Sequence, residues 1–391
     1  AIFGGLFVLL LKMVVVPLVF VSVLLGVAGL GDIRKVGTLG GKTIAYYFGT
    51  TGIAVVIGLL CVNIISPGKG QDEMRERWEE EQAALELEAV EEQAGALPLS
   101  TGMKIQQDVL PSFFQSPVPT GASGVPPSIL AVIMFALLLG AALTANREKS
   151  ETTVKMFQGI DTALVTLVLW IMKLAPIGVF ALMAKAIATL GIDYLEQLAV
   201  YVLTVLLGLI FHFAVLVFLI ARFAGGVSPM RFLKGMAPAF ELAFSTSSSS
   251  ATLPVTIQSV TRRVGVNKGV ARFVLPIGAT INMDGTALYT TVASIFVAQV
   301  YGLDLGFQEQ VMVFLTATIV SVGTAGIPGA SLALMTVIFT AVGIPVEGIG
   351  LVAGVDRILD MCRTTVNITG DSVGAAVIAK SEGEVLEEVA T

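Results

Sequence analysis

Polar and charged side chains form one stripe in an otherwise apolar stretch near the end of the chain, GVDRILDMCRTTVNITGDSVG. The stripe consists of Asp356, Asp360, Arg363, Thr364, Asn367 and Asp371. Their spacing places all six on a single helix face. An ionisable group facing lipid costs roughly 2.5–3.5 kcal/mol, so the stripe must face a protein interior or water. A purely structural Asp360–Arg363 pair is the alternative, and it leaves the last three polar residues unexplained.

A second polar cluster, TINMDGT, interrupts the apolar stretch 272–300. Its polar side chains are Thr280, Asn282, Asp284 and Thr286, and the glycines Gly278 and Gly285 lie beside them. Glycines next to an Asn-Met-Asp sequence suit an unwound helix whose free carbonyls and one carboxylate bind a hard cation through oxygen. An interhelical hydrogen-bond network is the alternative, and the cluster alone does not separate the two.

Two smaller polar features also lie in apolar stretches. Tyr47, Thr50 and Thr51 fall within residues 44–66, where such side chains ordinarily pack against neighbouring helices. His212, the only histidine of the chain, is more typical of a satisfied or lumen-facing side chain than of a metal ligand.

The elements that position these residues are membrane spans. The chain has 391 residues, of which 55% are hydrophobic and 13% charged, and its mean hydropathy is +0.88. Soluble domains have roughly 25% charged residues, so a soluble enzyme, a nucleic-acid binder and a disordered protein are excluded. Two cysteines far apart in sequence exclude a disulfide scaffold. Stretches with the roughly 20 apolar residues that a span needs lie near 1–29, 44–66, 128–145, 157–191, 197–221, 272–300 and 349–372.

Basic residues assign the ends of these stretches to sides, because short cytoplasmic loops collect Lys and Arg. Two further apolar stretches, 236–260 and 311–346, are unusual in this respect. Basic residues flank the first on both sides, so both its ends are predicted to be cytoplasmic, whereas the second lies between segments without Lys or Arg and is predicted to enter from outside. Each is interrupted in the middle, by STSSSSATLP and by GTAGIPGAS. Two interrupted segments that enter the membrane from opposite sides are typical of a transporter whose binding site lies at the membrane midplane.

Four motifs, SSSSATLPVT, NMDGTALY, GTAGIPGAS and LDMCRTTVNITGD, occur in this order and together resemble the dicarboxylate/amino acid:cation symporter family, which includes glutamate and aspartate transporters. The resemblance implies an all-α polytopic membrane protein with a glutamate-transporter-like fold and two oppositely oriented re-entrant helical hairpins. It also implies a sodium-coupled symporter of aspartate or glutamate that works as a homotrimer, by elevator-type alternating access, in the cytoplasmic membrane. Residue 1 falls at the start of the family's second helix, so the first helix is expected to be absent.

The resemblance divides the chain into functional parts. These are 1–66 for the first spans (1–29 scaffold, 44–66 transport domain), 67–127 for an external loop, 128–225 for scaffold and transport-domain helices, 226–380 for the core transport domain, and 381–391 for a cytoplasmic tail. Within the core lie the inner hairpin 236–260, the unwound helix 272–300, the outer hairpin 311–346 and the final helix 349–372. The external loop contains an acidic insert, 71–92, without a counterpart in the family, and a solvated helix is expected there.

Substrate-binding residues carry over by their positions in the motifs. Arg363 matches the arginine that holds the substrate's side-chain carboxylate, a role that suits its planar fork. Asp360 matches the carboxylate that pairs with the substrate's ammonium group. The other implied contacts are Thr286, Thr364 and Asn367 through side chains, and Ser248, Ser249, Ala325, Gly326 and Ile327 through backbone at the hairpin tips.

Sodium is the implied coupling ion, and its sites carry over in the same way. One site matches Asp371, Asn367, Asn282 and Gly278, a second matches Thr280, Ser321, Val322 and Thr324, and a third matches Tyr47, Thr50, Thr51, Asn282 and Asp284. Without a cation, Asp284 and Asp371 would be uncompensated buried anions. Sodium is therefore expected to order the site before the outer hairpin closes.

Three residues depart from the family pattern. Ser247 stands where archaeal relatives have an arginine that supports the site, and Arg357 is expected to take over part of that support. Thr290 stands where animal relatives have a glutamate linked to proton coupling, so that route to proton transport is expected to be absent.

Other functions compete with this interpretation. They are a C4-dicarboxylate or neutral amino acid symporter of the same family, an intramembrane aspartyl hydrolase and an ion channel. Asp360 argues against substrates that lack an ammonium group, since two anions would repel each other. Arg363 argues against the hydrolase, because it would hold Asp360 ionised rather than sharing a proton with a second aspartate.

Overall fold

A computed structural model describes residues 2–29, 33–69, 129–191, 194–321, 328–384 and 386. Within these ranges every regular element is a helix, which confirms the all-α fold class. The first seven helices are α1 (Ile2–Gly29), α2 (Ile33–Ile65), α3 (Ile129–Ala145), α4 (Arg147–Lys173), α5 (Ala175–Leu190), α6 (Tyr194–Ala214) and α7 (Pro229–Thr246). The other seven are α8 (Ser249–Ser259), α9 (Lys268–Ile281), α10 (Asp284–Val300), α11 (Phe307–Ser321), α12 (Ala330–Val342), α13 (Ile349–Ala353) and α14 (Asp356–Ser381). The acidic insert 71–92 lies outside the described residues.

Two predicted spans are divided in the structure, and those predictions were wrong in their extent. The stretch 157–191 falls in two helices, α4 and α5, because the chain turns at Leu174 and Pro176 occupies the first turn of the new helix. The stretch 349–372 is interrupted after α13, and the last helix begins at Asp356 and continues to Ser381. As a result, one unbroken helix, α14, carries the whole polar stripe.

Helix length and composition support a membrane location. Among the described residues, three helices are long and apolar enough to cross a membrane, namely Leu39–Ile65, Lys149–Ile171 and Tyr194–Ala224. The last is continuous because α6 passes into wider π-type turns over Val215–Ala224. In contrast, α10 is buried all round, with Gln299 as the exception. A helix buried on every side belongs to the interior of the fold.

The helices pack in two neighbourhoods. α1 contacts α3, α4 and α5, whereas α10 contacts α2, α6, α11 and α14, and the two groups meet where α1 touches α12 and α5 touches α13. α14 also packs against α7 and α9. The polar stripe of α14 and the polar cluster at the start of α10 are therefore on helices that touch.

Breaks in the helices lie where the sequence predicted them. α9 and α10 are separated by Asn282 and Met283, whose backbones are not helical, which confirms the interruption of the stretch 272–300. α7 and α8 are separated by Ser247 and Ser248 and pack against each other, so the chain reverses there. Ser247 has φ 52°, a left-handed conformation uncommon outside glycine. α11 and α12 likewise pack against each other on either side of residues 322–327.

Candidate binding site

The guanidinium of Arg363 is buried on α14 and makes three electrostatic contacts. Its Nη1 donates to Oδ1 of Asp356 at 2.9 Å, and its Nη2 lies 2.8 Å from Oδ1 of Asp360. Its central carbon lies 3.8 Å from the centroid of the Tyr289 ring, within cation–π range. Its Nε is buried and has no hydrogen-bond partner among the described residues, and its Nη2 forms the ion pair with Asp360 without hydrogen-bond geometry. Arg363 is thus held in place, while N–H groups on Nε and Nη2 stay available for two hydrogen bonds to a ligand carboxylate.

The same two aspartates connect α14 to the start of α12. The backbone N–H of Gly329 donates to Oδ2 of Asp360 at 3.0 Å, and the hydroxyl of Ser331 donates to Oδ1 of Asp356 at 3.4 Å. Helix N-termini favour negative charge, so α12 stabilises both carboxylates. The ion pair between Asp360 and Arg363, which was the alternative interpretation of the stripe, does form. It does not occupy the whole guanidinium, because Nε has no hydrogen-bond partner among the described residues.

Asp371 is a buried carboxylate further along α14. Nδ2 of Asn282 donates to its Oδ1 at 3.0 Å, and no described Lys or Arg forms an ion pair with it. The backbone of Gly278 approaches so closely that a Cβ there would lie 2.5 Å from Oδ1 of Asp371 and 2.6 Å from the hydroxyl of Tyr47. Burying an unpaired carboxylate is costly, so this arrangement fits a cation bound through oxygen.

Asp284, the first residue of α10, is a second buried carboxylate, and α2 supplies hydroxyls to it. The hydroxyl of Thr51 donates to its Oδ1 at 2.8 Å. The hydroxyl of Thr50 lies 3.4 Å from the same oxygen and 3.1 Å from Oδ1 of Asn282. Carboxylate, amide and hydroxyl oxygens are ligands for hard cations such as Na⁺. The described residues contain no group of three or more His, Cys, Asp or Glu able to hold a metal ion.

Asn367 of α14 lies against the start of α10. Its Oδ1 accepts a hydrogen bond from the N–H of Gly285 at 2.8 Å, and its Nδ2 lies 3.4 Å from Oγ1 of Thr286. Nδ2 also lies 3.3 Å from the sulfur of Met283. The structure thus brings the α14 stripe and the α9–α10 break together around one amide.

Other predicted site residues have local partners or fall outside the described ranges. Thr364 donates to the carbonyl of Asp360 in its own helix, and Thr280 is exposed and donates to the carbonyl of Ile277. The hydroxyl of Tyr47 donates to Val274 O, and Ser321 donates to Thr318 O. Ser248 accepts from Ala251 N at the start of α8, and Ser249 is buried beside it. Val322, Thr324, Ala325, Gly326 and Ile327 lie outside the described residues. The second sodium site and the outer tip therefore stay predictions.

Arg357 does not have the surroundings expected of a supporting residue. It is exposed on α14 and forms no ion pair within the described part of the chain. Arg363 lies six positions further along the helix, an offset that places the two side chains roughly 120° apart. Ser247 is buried, and its hydroxyl has no partner among the described residues.

A comparison of the whole sequence with known protein families identifies the family of this chain. The model of the sodium:dicarboxylate symporter family matches residues 1–381. The chain belongs to the sodium:dicarboxylate symporter family. It is therefore a multi-pass membrane transporter and not an enzyme, which excludes the aspartyl hydrolase.

Curated relatives of this symporter agree with that family. It is 37% identical over 380 residues to the proton/sodium-glutamate symport protein of Bacillus subtilis (strain 168), a match that covers 97% of this chain and 85% of the relative. It is 35% identical over 382 residues to the proton/glutamate-aspartate symporter of Escherichia coli (strain K12), covering 97% and 84%. It is also 34% identical over 421 residues to excitatory amino acid transporter 3 of Homo sapiens, covering 99% and 80%. The family resemblance drawn from the four motifs is confirmed.

Sequence reasoning missed three contacts of the symporter's site. Asp356 was not expected to hold Arg363, although it lies seven residues earlier on the same face, a spacing that could have indicated the pair. Tyr289 lies in the NMDGTALY motif, but an aromatic side chain by itself indicates packing. His212 lies 3.1 Å from Asp284, and a separation of 72 residues leaves no local pattern that connects the two.

Replacing Gly278 by alanine is expected to destabilise the symporter by about 1–3 kcal/mol, since the new methyl group must displace Asp371 or the Tyr47 hydroxyl. The melting temperature of purified protein measures this. Gly49→Ala is the matched control, because a Cβ at Gly49 has no heavy atom within 4 Å. Equal melting temperatures for the two variants would contradict the close approach at Gly278.

Proposed function

We propose that this chain is a sodium-coupled symporter of the acidic amino acids aspartate and glutamate. The observation that carries the proposal is the buried guanidinium of Arg363, which Asp356, Asp360 and Tyr289 hold while Nε stays open. The Bacillus subtilis and Escherichia coli relatives, whose names include glutamate, support the choice of substrate.

Recognition of the substrate follows from charge complementarity. Arg363 binds the side-chain carboxylate, and its fork allows two parallel hydrogen bonds. The carboxylate of Asp360 attracts the ammonium group. It lies beside the same guanidinium and is therefore close to the bound amino acid. Backbone N–H groups at the helix tips near Ser248, Ser249, Ala325, Gly326 and Ile327 bind the α-carboxylate, as helix N-termini commonly bind anions.

Sodium enters this scheme as a second transported solute. Asp371 with Asn282, Gly278 and Asn367 forms one site, and Asp284 with Thr50, Thr51 and Asn282 forms another. Each cation compensates a buried carboxylate that lacks a Lys or Arg partner among the described residues. Because Asn367 contacts both Gly285 and Thr286, sodium binding and substrate binding share one set of side chains and are thermodynamically coupled.

The architecture proposed for transport uses the paired helices. α7 with α8 forms the inner re-entrant hairpin, and α11 with α12 forms the outer one. Contacts within each pair and the basic residues that flank the first pair support this assignment. The core helices from α7 to α14 move with α2 as an elevator against a scaffold that contains α1, within a homotrimer in the cytoplasmic membrane. Most contacts of α1 are with α3, α4 and α5, which supports such a division, and α1 meets the moving part mainly at α12.

Uptake into proteoliposomes tests the proposal. Radiolabelled aspartate and glutamate are expected to accumulate when external sodium exceeds internal sodium, and to stay at the level of protein-free vesicles when choline replaces sodium. The cations compensate the buried carboxylates during binding, so sodium enters together with the amino acid. The inward sodium gradient therefore drives the uptake. Uptake that is indifferent to sodium would contradict the function.

Transport of C4-dicarboxylates is the second candidate, and the two contacts of Asp360 favour it. Asp360 already pairs with Arg363 and accepts the N–H of Gly329, so its charge is partly compensated without an ammonium group. Competition experiments separate the two candidates. If succinate displaces labelled glutamate as effectively as unlabelled aspartate does, transport of dicarboxylates is favoured. Weak competition by succinate supports transport of amino acids.

A further inference from the structure

The single histidine of the chain lies in the interior of the fold, against one of the proposed cation sites. Nε2 of His212 on α6 lies 3.1 Å from Oδ2 of Asp284 on α10, and both side chains are 0% exposed. The two helices are also closely packed beside this contact. A Cβ at Gly208 would lie 3.1 Å from the Leu288 side chain, so α6 and α10 approach closely one turn away from each partner.

The chemistry of the two groups sets the direction of the hydrogen bond. A carboxylate that binds a cation is ionised and only accepts hydrogen bonds, so in a sodium-bound site Nε2 of His212 is the donor. Nδ1 is buried and has no hydrogen-bond partner among the described residues. The imidazole therefore contributes one directed N–H to Asp284.

The two carboxylate oxygens of Asp284 have different partners. Oδ2 faces His212, whereas Oδ1 faces the hydroxyls of Thr51 at 2.8 Å and Thr50 at 3.4 Å. A carboxylate held at one oxygen cannot rotate freely, so the other oxygen stays directed at the hydroxyl side. Asn282 contributes its Oδ1 to that same side, 3.1 Å from Thr50.

We propose that His212 is a positioning residue for sodium, which fixes Asp284 so that Oδ1 points at the oxygens of Thr50, Thr51 and Asn282. This rests on the proposed function, since it assumes that sodium binds beside Asp284. The imidazole acts through its hydrogen bond and does not itself bind the ion. Any side chain that donates one hydrogen bond from the same place should serve.

Sodium binding without transport tests the assignment. The melting temperature of detergent-purified protein is measured against sodium chloride, with choline chloride holding ionic strength constant, because a ligand that binds the folded state stabilises it. His212→Phe and His212→Leu remove the donor with different volumes, and His212→Gln keeps an N–H donor. Phe211→Leu is the matched control, since Phe211 is 58% exposed on the same helix. The sodium dependence of glutamate uptake is the second readout.

The donor-free variants are expected to need about tenfold more sodium for half-maximal stabilisation and uptake, given the strength of a hydrogen bond to a charged group. His212→Gln is expected to stay close to the unaltered protein, as is Phe211→Leu. The assignment is overturned if His212→Gln is as impaired as the donor-free variants, because size or charge would then matter, or if those variants keep normal sodium dependence. Absence of any sodium effect in the unaltered protein would overturn the proposed function itself and this assignment with it.

Discussion

Replacement of Arg363 by alanine is expected to lower glutamate and aspartate uptake by at least about 100-fold. Two charge-assisted hydrogen bonds to a carboxylate are worth roughly 3 kcal/mol together, which corresponds to that factor. The variant also leaves Asp356 and Asp360 as adjacent buried anions, so acidic substrates are repelled. Neutral amino acids lack the second carboxylate and are expected to compete better in this variant than in the unaltered protein. Initial uptake rates in proteoliposomes measure both effects.

Two further variants separate binding from folding. Arg363→Lys keeps a positive charge between Asp356 and Asp360 but loses the planar fork, so it should fold and still transport glutamate poorly, with the loss mainly in KM. Arg357→Ala removes an exposed arginine from the same helix and should transport normally. Unchanged aspartate affinity in Arg363→Ala, or equal loss in Arg357→Ala, would contradict the role given to Arg363.

Replacement of Asp371 by asparagine is expected to have the second large effect. The variant keeps the size of the side chain but removes the negative charge that attracts sodium in a buried site. Coulombic attraction is strong where water is excluded, so we expect the sodium concentration for half-maximal uptake to rise by more than about tenfold. Asn282 keeps a hydrogen-bonding partner at this position, so folding should persist. Uptake rates over a sodium titration at saturating glutamate provide the measurement.

The matched control for this variant is Asp304→Asn, which removes an exposed carboxylate between α10 and α11. Exposed charges are screened by water and salt, so its sodium dependence should equal that of the unaltered protein. A normal sodium requirement in Asp371→Asn would show that the charge of Asp371 does not bind the cation. A parallel loss in both variants would point to net charge rather than to a site.

The breaks at Ser247–Ser248 and at Asn282–Met283 show how local signals located the site. Residues that expose backbone or interrupt a helix are costly at membrane depth unless protein or water satisfies them. Their presence in apolar stretches therefore marked the two break points without knowledge of the fold. The divided span 157–191 shows the opposite case. There the apolar run continued past Leu174, and hydropathy could not reveal the turn that Pro176 imposes on the helix.

The sequence by itself determined the all-helical membrane class, the family and the polar stripe of α14, because hydropathy, helical period and motif order are local properties of a chain. The tertiary structure alone decided which polar groups meet across helices. Asp284 receives Thr51 from α2 and His212 from α6, and Asp371 receives Asn282 from the end of α9. These contacts join residues far apart in sequence, and only the packing of α10 and α14 at the centre of the helices brings them within hydrogen-bonding distance.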